Sequence, residues 1–167
     1  MLAALLLALA QPLPVDGALA PPPGSYGWIE RLAGNCFAMA ESGIPLRSSE
    51  CFAVRDGRFT ITSTMSHPRF TMREECVLQS ARDGVLRFGC TRQGGTGQAM
   101  VGRYRDGAFV TRRPSRSAAI SWREYVETWW RMEGEDQLSI SVILPEPNRV
   151  PASELLPPPR LLRRVGQ

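Results

Sequence analysis

The four cysteines are the residues whose spacing points most directly to a chemical reaction. Each consecutive pair has a turn signal near its midpoint, because Ser42-Gly43 lies between the first two and Asp83-Gly84 lies between the last two. Two antiparallel strands that fold back about such a turn bring the cysteines opposite each other. The spacing therefore predicts oxidation to two cross-strand disulfides, Cys36–Cys51 and Cys76–Cys90.

The rest of the chain supplies the strands that these disulfides need. Asp-Gly occurs at 56–57, 83–84 and 106–107, each time between alternating segments rich in Phe, Val, Thr and Tyr, which is a strong hairpin signal. An antiparallel meander of eight or nine strands usually closes into a barrel, because closure removes the sheet edges. The fold class is therefore all-β, a single meander barrel, with strands predicted at 34–41, 47–55, 58–65, 69–79, 85–92, 98–105, 108–113, 117–130 and 137–144.

Alternation along these strands assigns the two disulfides to different faces. Pairing about Asp83 sets Leu78 opposite Phe88 on the apolar face, and Cys76–Cys90 shares that inward side. The flanking phenylalanines Phe37 and Phe52 take the inward positions of the first hairpin, so Cys36–Cys51 is expected on the outer face.

The ends of the chain differ in composition from the strand region. Residues 1–20 contain an apolar run followed by small residues and prolines, which predicts a signal peptide cleaved after Ala10 or Ala20. The barrel domain is assigned to 21–145, and the Pro/Arg-rich segment 146–167 is expected to be a disordered tail. With two disulfides, this organisation predicts a periplasmic or secreted protein without a transmembrane segment after signal removal.

Charge and composition exclude several function classes. The formal net charge is +4, and all 20 basic residues are arginine. Without lysine there is neither a Walker A phosphate loop nor a lysine Schiff base. The arginines are scattered along the chain, which argues against nucleic acid as a partner.

Catalytic and metal-binding patterns are weak, and the sequence favours a non-enzymatic function. His67 is the single histidine and precedes Pro68, where a turn or hydrogen-bonding role fits better than catalysis. The acidic residues at 133, 135 and 136 fit a solvated loop better than a calcium site. We therefore expect no catalytic residue, no metal ligand and no cofactor.

Glu74 and Arg92 form the most specific pair of polar residues in the predicted strands. They are the next same-face pair beyond Cys76 and Cys90, so an acid and a guanidinium would face each other inside the barrel. Such a pair could orient the polar end of a ligand. The alternative is that both lie near the barrel rim and reach water, because burying an ion pair is costly.

Three segments together resemble small bacterial exported proteins with a lipocalin-like (calycin) barrel. They are the opening run from Trp28 to Phe37, the second Cys-Phe at Cys51-Phe52, and the closing run from Trp130 to Asp136 with the strand after it. The resemblance implies a cup-shaped barrel of eight to ten strands, often with an interior cavity and mostly of unassigned function. The haem-binding branch would need a late histidine, which this chain lacks.

Two function classes follow from this interpretation. The first is a periplasmic binding module that holds a small apolar or amphipathic ligand in a hollow barrel. The second is a protein-interaction barrel with a filled core, such as a secreted inhibitor or an envelope-assembly factor, whose partner is an envelope protein. For the binding module, the expected ligand-binding residues are Glu74, Arg92, Phe59, Ile61, Met72, Phe88, Tyr104 and Trp122.

Overall fold

The structure is a computed structural model that describes residues 27–39, 45–95, 97–114, 125–143 and 159–166. The expected signal peptide and Trp122 lie outside these residues. Among the described residues, no helix is long and apolar enough to cross a bilayer.

A short 3-10 helix, Gly27–Leu32, precedes ten antiparallel strands. Three of the hairpin turns place both Asp and Gly at positive φ, between 50° and 73°, at Asp56-Gly57, Asp83-Gly84 and Asp106-Gly107. This geometry suits two-residue hairpins because its twist matches that of the strands. The strands are β1 (Cys36–Met39), β2 (Arg47–Arg55), β3 (Arg58–His67), β4 (Phe70–Arg82), β5 (Val85–Arg92), β6 (Gln98–Arg105), β7 (Ala108–Pro114), β8 (Tyr125–Met132), β9 (Gln137–Ile143) and β10 (Arg160–Val165).

The strands form a closed barrel in which β10 lies between β9 and β1. The predicted meander is confirmed, but the barrel has ten strands and not eight or nine. The expectation of a disordered tail over 146–167 is wrong for Arg160–Val165, which forms this closing strand. The sequence of this strand does not show an alternating apolar pattern, because Leu162 is fully buried, Leu161 is half exposed, Val165 is exposed and the other three positions are arginines.

Both predicted disulfides are present, and they lie on the predicted faces. Cys36 is paired with Cys51 and Cys76 with Cys90, with Cα atoms 4.1 and 3.9 Å apart. The second bridge belongs to the hydrophobic core, whereas the first is only half-buried behind Phe37 and Phe52. The disulfides are typical of an oxidising compartment.

The end of the barrel with the Asp-Gly turns is filled by apolar side chains. Ile29 and Leu32 of the 3-10 helix pack into the same core as five fully buried phenylalanines. Their rings meet mostly edge to face, for example Phe37 with Phe52 and Phe88 with Phe109. This half of the interior is therefore a packed core, and the cluster of charged side chains that the structure describes inside the barrel lies in the opposite half.

Candidate functional site

A continuous row of polar side chains crosses the inner face of β2, β3, β4 and β5, next to the core disulfide. Glu50 is paired with Ser63, Ser63 with Glu74, and Glu74 with Arg92. The row below it contains Phe52, Ile61 and the Cys76–Cys90 bridge. We call Glu50, Ser63, Glu74 and Arg92 the polar layer.

Two more arginines enter the polar layer from strands on other sides of the barrel. Arg113 of β7 donates a hydrogen bond to Glu74 of β4, although two strands separate them in the sheet, so this contact spans the interior. Arg160 of β10 lies 3.6 Å from Glu50 and also donates to the Ser48 hydroxyl. Arg92 completes the set at 3.7 Å from Glu74. Two carboxyl groups are thus contacted by three guanidinium groups.

Glu50 has the most perturbed ionisation in this cluster. It is only 2% exposed, and burial raises the pKa of its carboxyl to about 7. The Ser63 hydroxyl, which donates to Glu50, and the charges of Arg160 and Arg113 oppose that rise, while the negative charge of Glu74 adds to it. Glu50 is therefore only partly ionised at neutral pH.

The polar layer and the two additional arginines line a cavity of about 110 Å³. Apolar side chains complete its wall, including Met65, Met72, Trp130 and Val142. Three positive groups face two carboxyl groups, one of which is partly protonated, so the cavity has an excess of positive charge. Because guanidinium groups bind carboxylate and phosphate in fixed, bidentate geometry, the arrangement can bind a small anionic group.

No protein-family model, curated protein or solved structure matches this chain. The closed antiparallel barrel is therefore assigned from the structure itself, and the lipocalin-like resemblance remains a prediction.

The predicted register of Glu74 and Arg92 is confirmed, since the two residues are direct partners on the inner face. The Glu74 side chain is 11% exposed and the Arg92 side chain 38%. The carboxyl group of Glu74 therefore lies inside the barrel, and the guanidinium of Arg92 is partly exposed to water. This arrangement is intermediate between a fully interior pair and a pair at the barrel rim.

The remaining predicted ligand-binding residues that the structure describes separate into three groups. Phe59, Ile61 and Phe88 are core side chains no more than 1% exposed, so they fill the interior and do not line a hollow cup. Met72 lines the cavity. Tyr104 lies at the opposite end, where its hydroxyl accepts a hydrogen bond from the Ile29 backbone N–H at 3.1 Å.

Sequence reasoning missed Glu50, Arg113 and Arg160. Glu50 could have been found, because it lies two residues before Phe52 and therefore shares its inward face. Arg113 contacts Glu74 across the barrel, and no local pattern reports such a contact. Arg160 was missed because the Pro/Arg-rich composition of its segment predicts a disordered tail.

The structure adds little support for a catalytic role of His67 or for a metal site. The His67 ring accepts a hydrogen bond from the Arg69 backbone N–H at 3.2 Å and stacks on Phe70, as expected for a turn residue. Among the described residues, Glu74 with Cys76 and Cys90 is the closest grouping of metal-ligand types. Both of those sulfurs are in a disulfide, so the group lacks thiolate ligands.

Proposed function

We propose that the protein is an exported binding protein that holds the anionic head group of a small amphipathic molecule in the polar half of its barrel. The observation that carries the proposal is the convergence of Arg92, Arg113 and Arg160 on two buried carboxyl groups around one cavity. A single anionic group would balance the excess positive charge. The two disulfides favour a periplasmic or secreted location.

The size of the cavity limits what it can hold. A volume of about 110 Å³ corresponds to a few water molecules, since each occupies about 30 Å³ in the liquid. This is enough for a carboxylate or phosphate group and the first carbons attached to it. Met65, Met72 and Val142 would contact those carbons, and the rest of the molecule would extend away from the packed core.

Calorimetric titration with three six-carbon probes tests the charge of the ligand. We expect hexanoate to bind, and hexanol and hexylamine to bind at least about tenfold more weakly, because only the carboxylate is bidentate with guanidinium. Equal binding of hexanoate and hexanol would overturn the proposal.

Arg92→Gln tests the site, because Arg92 is the least engaged of the three arginines and its loss leaves Arg113 on Glu74. The matched control is Arg73→Gln, an exposed arginine on the same strand as Glu74 that carries the same charge change. We expect only Arg92→Gln to weaken hexanoate binding, by about tenfold. Equal affinities for the two variants would place the ligand elsewhere.

A protein-interaction barrel is the second candidate, and the packed apolar half favours it. Phe59, Ile61 and Phe88 leave no space in that half for the body of an apolar ligand. Native mass spectrometry of the protein, purified from the envelope of the cells that produce it, distinguishes the two candidate functions. A copurified mass of a few hundred daltons supports ligand binding, and a copurified polypeptide supports the second candidate.

A further inference from the structure

The outer face of β5 to β8 carries a groove that is separate from the cavity inside the barrel. Its volume is about 620 Å³, and its walls are formed mainly by Arg87, Arg103, Arg105 and Arg112. We call these four residues and the surface between them the arginine groove. We propose that the arginine groove binds an extended segment of a partner protein that carries several carboxylate side chains.

Strand register explains why the arginines and a set of valines share this face. Val85 is paired with Arg103, and Arg103 with Val110. In the adjacent row, Arg87 is paired with Val101, and Val101 with Arg112. Valine and arginine alternate along each row, and each valine of one row lies beside an arginine of the other row. The long arginine side chains therefore surround short apolar ones, and the valines form a recessed floor.

One acidic residue fixes two of the arginines in place. Glu127 of β8 accepts hydrogen bonds from Arg105 at 2.8 Å and from Arg112 at 2.7 Å, and its side chain is 6% exposed. Trp129 supports the same arrangement, since its indole N–H donates to Glu127 and its ring lies 4.6 Å from the Arg105 guanidinium carbon. A guanidinium has five N–H donors, so Arg105 keeps donors for a partner after its contact with Glu127.

The pKa of Glu127 agrees with this role. Burial acts to raise it, but the hydrogen bonds from Arg112 and Trp129 and the charge of Arg105 outweigh burial, and the pKa lies below the ordinary value. Glu127 therefore stays ionised and continues to hold the two guanidinium groups at neutral pH.

Arg87 and Arg103 have no carboxylate partner among the residues that the structure describes. Both are exposed on the groove wall. Within the groove, four arginines therefore face one glutamate. An acidic partner would supply the missing charges.

The spacing of the arginines fits an extended chain better than one compact anion. Arg87 and Arg112 are two strands apart in one row, which is about 10 Å, and Arg103 and Arg105 are about 7 Å apart along β6. Alternate side chains of an extended peptide are also about 7 Å apart. Each described strand is paired on both sides, so binding must rely on side chains and not on strand addition.

The recessed floor favours a protein segment over an anionic membrane. Val110 is 7% exposed, and Val85 and Val101 are half-buried. A planar lipid surface would touch only the arginine side chains. A single peptide can enter the groove and place small apolar side chains on the valines.

Fluorescence anisotropy at low salt tests the proposal with a labelled octapeptide of alternating glutamate and valine. We expect binding of this peptide but not of its glutamine counterpart. Replacing the two unpartnered arginines, Arg87→Gln with Arg103→Gln, should weaken binding about tenfold, from the loss of two exposed ion pairs. The matched control is Arg58→Gln with Arg73→Gln, two exposed arginines outside the groove that give the same change in net charge.

Three results would overturn the proposal. They are equal losses in the two double variants, equal binding of the glutamine peptide, and binding to phosphatidylglycerol vesicles without binding of the acidic peptide. Arg92→Gln is the control for the cavity, and it should leave peptide binding unchanged. The proposal for the arginine groove and the proposal for the ligand site in the barrel are therefore tested independently.

Discussion

Burial of Glu50 links the ionisation of one carboxyl group to the stability of the barrel. The groups that face it come from four other strands: Ser63 on β3, Glu74 on β4, Arg113 on β7 and Arg160 on β10. Burial raises the pKa more than these groups together lower it, and the pKa of the carboxyl is about 7 in the folded protein. The pKa of an unfolded glutamate is near 4.5.

Stability should therefore fall as pH rises from about 5 to 8, because the folded protein holds a proton on Glu50 that the unfolded chain has lost. From the two pKa values, the full effect is about 3 kcal/mol. Glu50→Gln keeps a neutral side chain of similar shape and should remove this dependence. Urea unfolding at pH 5 and pH 8 measures it.

The control for this prediction is Glu133→Gln, an exposed residue in the turn between β8 and β9. It should retain the pH dependence of the parent protein. If Glu50→Gln and the parent lose the same stability between pH 5 and pH 8, Glu50 is not the group responsible.

Packing between neighbouring strands can be tested with two glycines in the middle of strands. A Cβ atom on Gly102 of β6 would lie 2.3 Å from the ring of Phe109 on β7, a fully buried core residue. A Cβ atom on Gly89 of β5 would instead meet the end of the flexible Gln79 side chain. The first neighbour cannot move without disturbing the core, and the second can move into solvent.

Gly102→Ala should therefore destabilise the protein by about 1–3 kcal/mol through overpacking. Gly89→Ala should change the free energy of unfolding by less than about 0.5 kcal/mol, as is usual for surface changes. Chemical denaturation of both variants gives the comparison. A similar loss in the two variants would mean that strand propensity, and not contact with Phe109, sets the cost.

The two hairpin disulfides provide a second test of packing between neighbouring strands. Their sequence separations are 15 and 14 residues, so loop-closure entropy is nearly equal for the two. Only Cys76–Cys90 lies in the core. Replacing that pair with alanine should cost roughly 2 kcal/mol more than replacing Cys36 and Cys51, because it also leaves a cavity.

Thermal unfolding of the two double variants checks this difference. Equal losses of stability would contradict the assignment of one bridge to the core and the other to the outer face.

Closure of the whole barrel depends on β10. It pairs with β1 on one side and β9 on the other, contributes the fully buried Leu162, and places Arg160 beside Glu50. Without it, β1 and β9 would expose unpaired backbone groups, and Glu50 would lose its nearest cation.

A chain ending at Asn148 should therefore lose cooperative unfolding, which circular dichroism during urea titration would show. Leu162→Ala gives a milder test and should cost about 2–5 kcal/mol. Leu161→Ala is its control, because that neighbouring side chain is half exposed. Cooperative unfolding of the truncated chain at the parent's stability would show that nine strands suffice.

The sequence determined the local features of this protein: the hairpins, both disulfides, the face of each bridge, and the pairing of Glu74 with Arg92. All of them depend on contacts within one hairpin. In the β4–β5 hairpin, the two-residue turn and a register shift between Leu78 and Ser80 together set the pairing, and strand alternation sets the face.

Only the tertiary structure decided which distant residues meet. Arg113 reaches Glu74 across the interior, and Arg160 reaches Glu50 from a strand 110 residues further along the chain. Closure also determined that β10 is a strand, since its single buried leucine carries no periodic pattern. Such contacts depend on how the sheet curves and closes, and the alternation of residues along one strand contains no information about that.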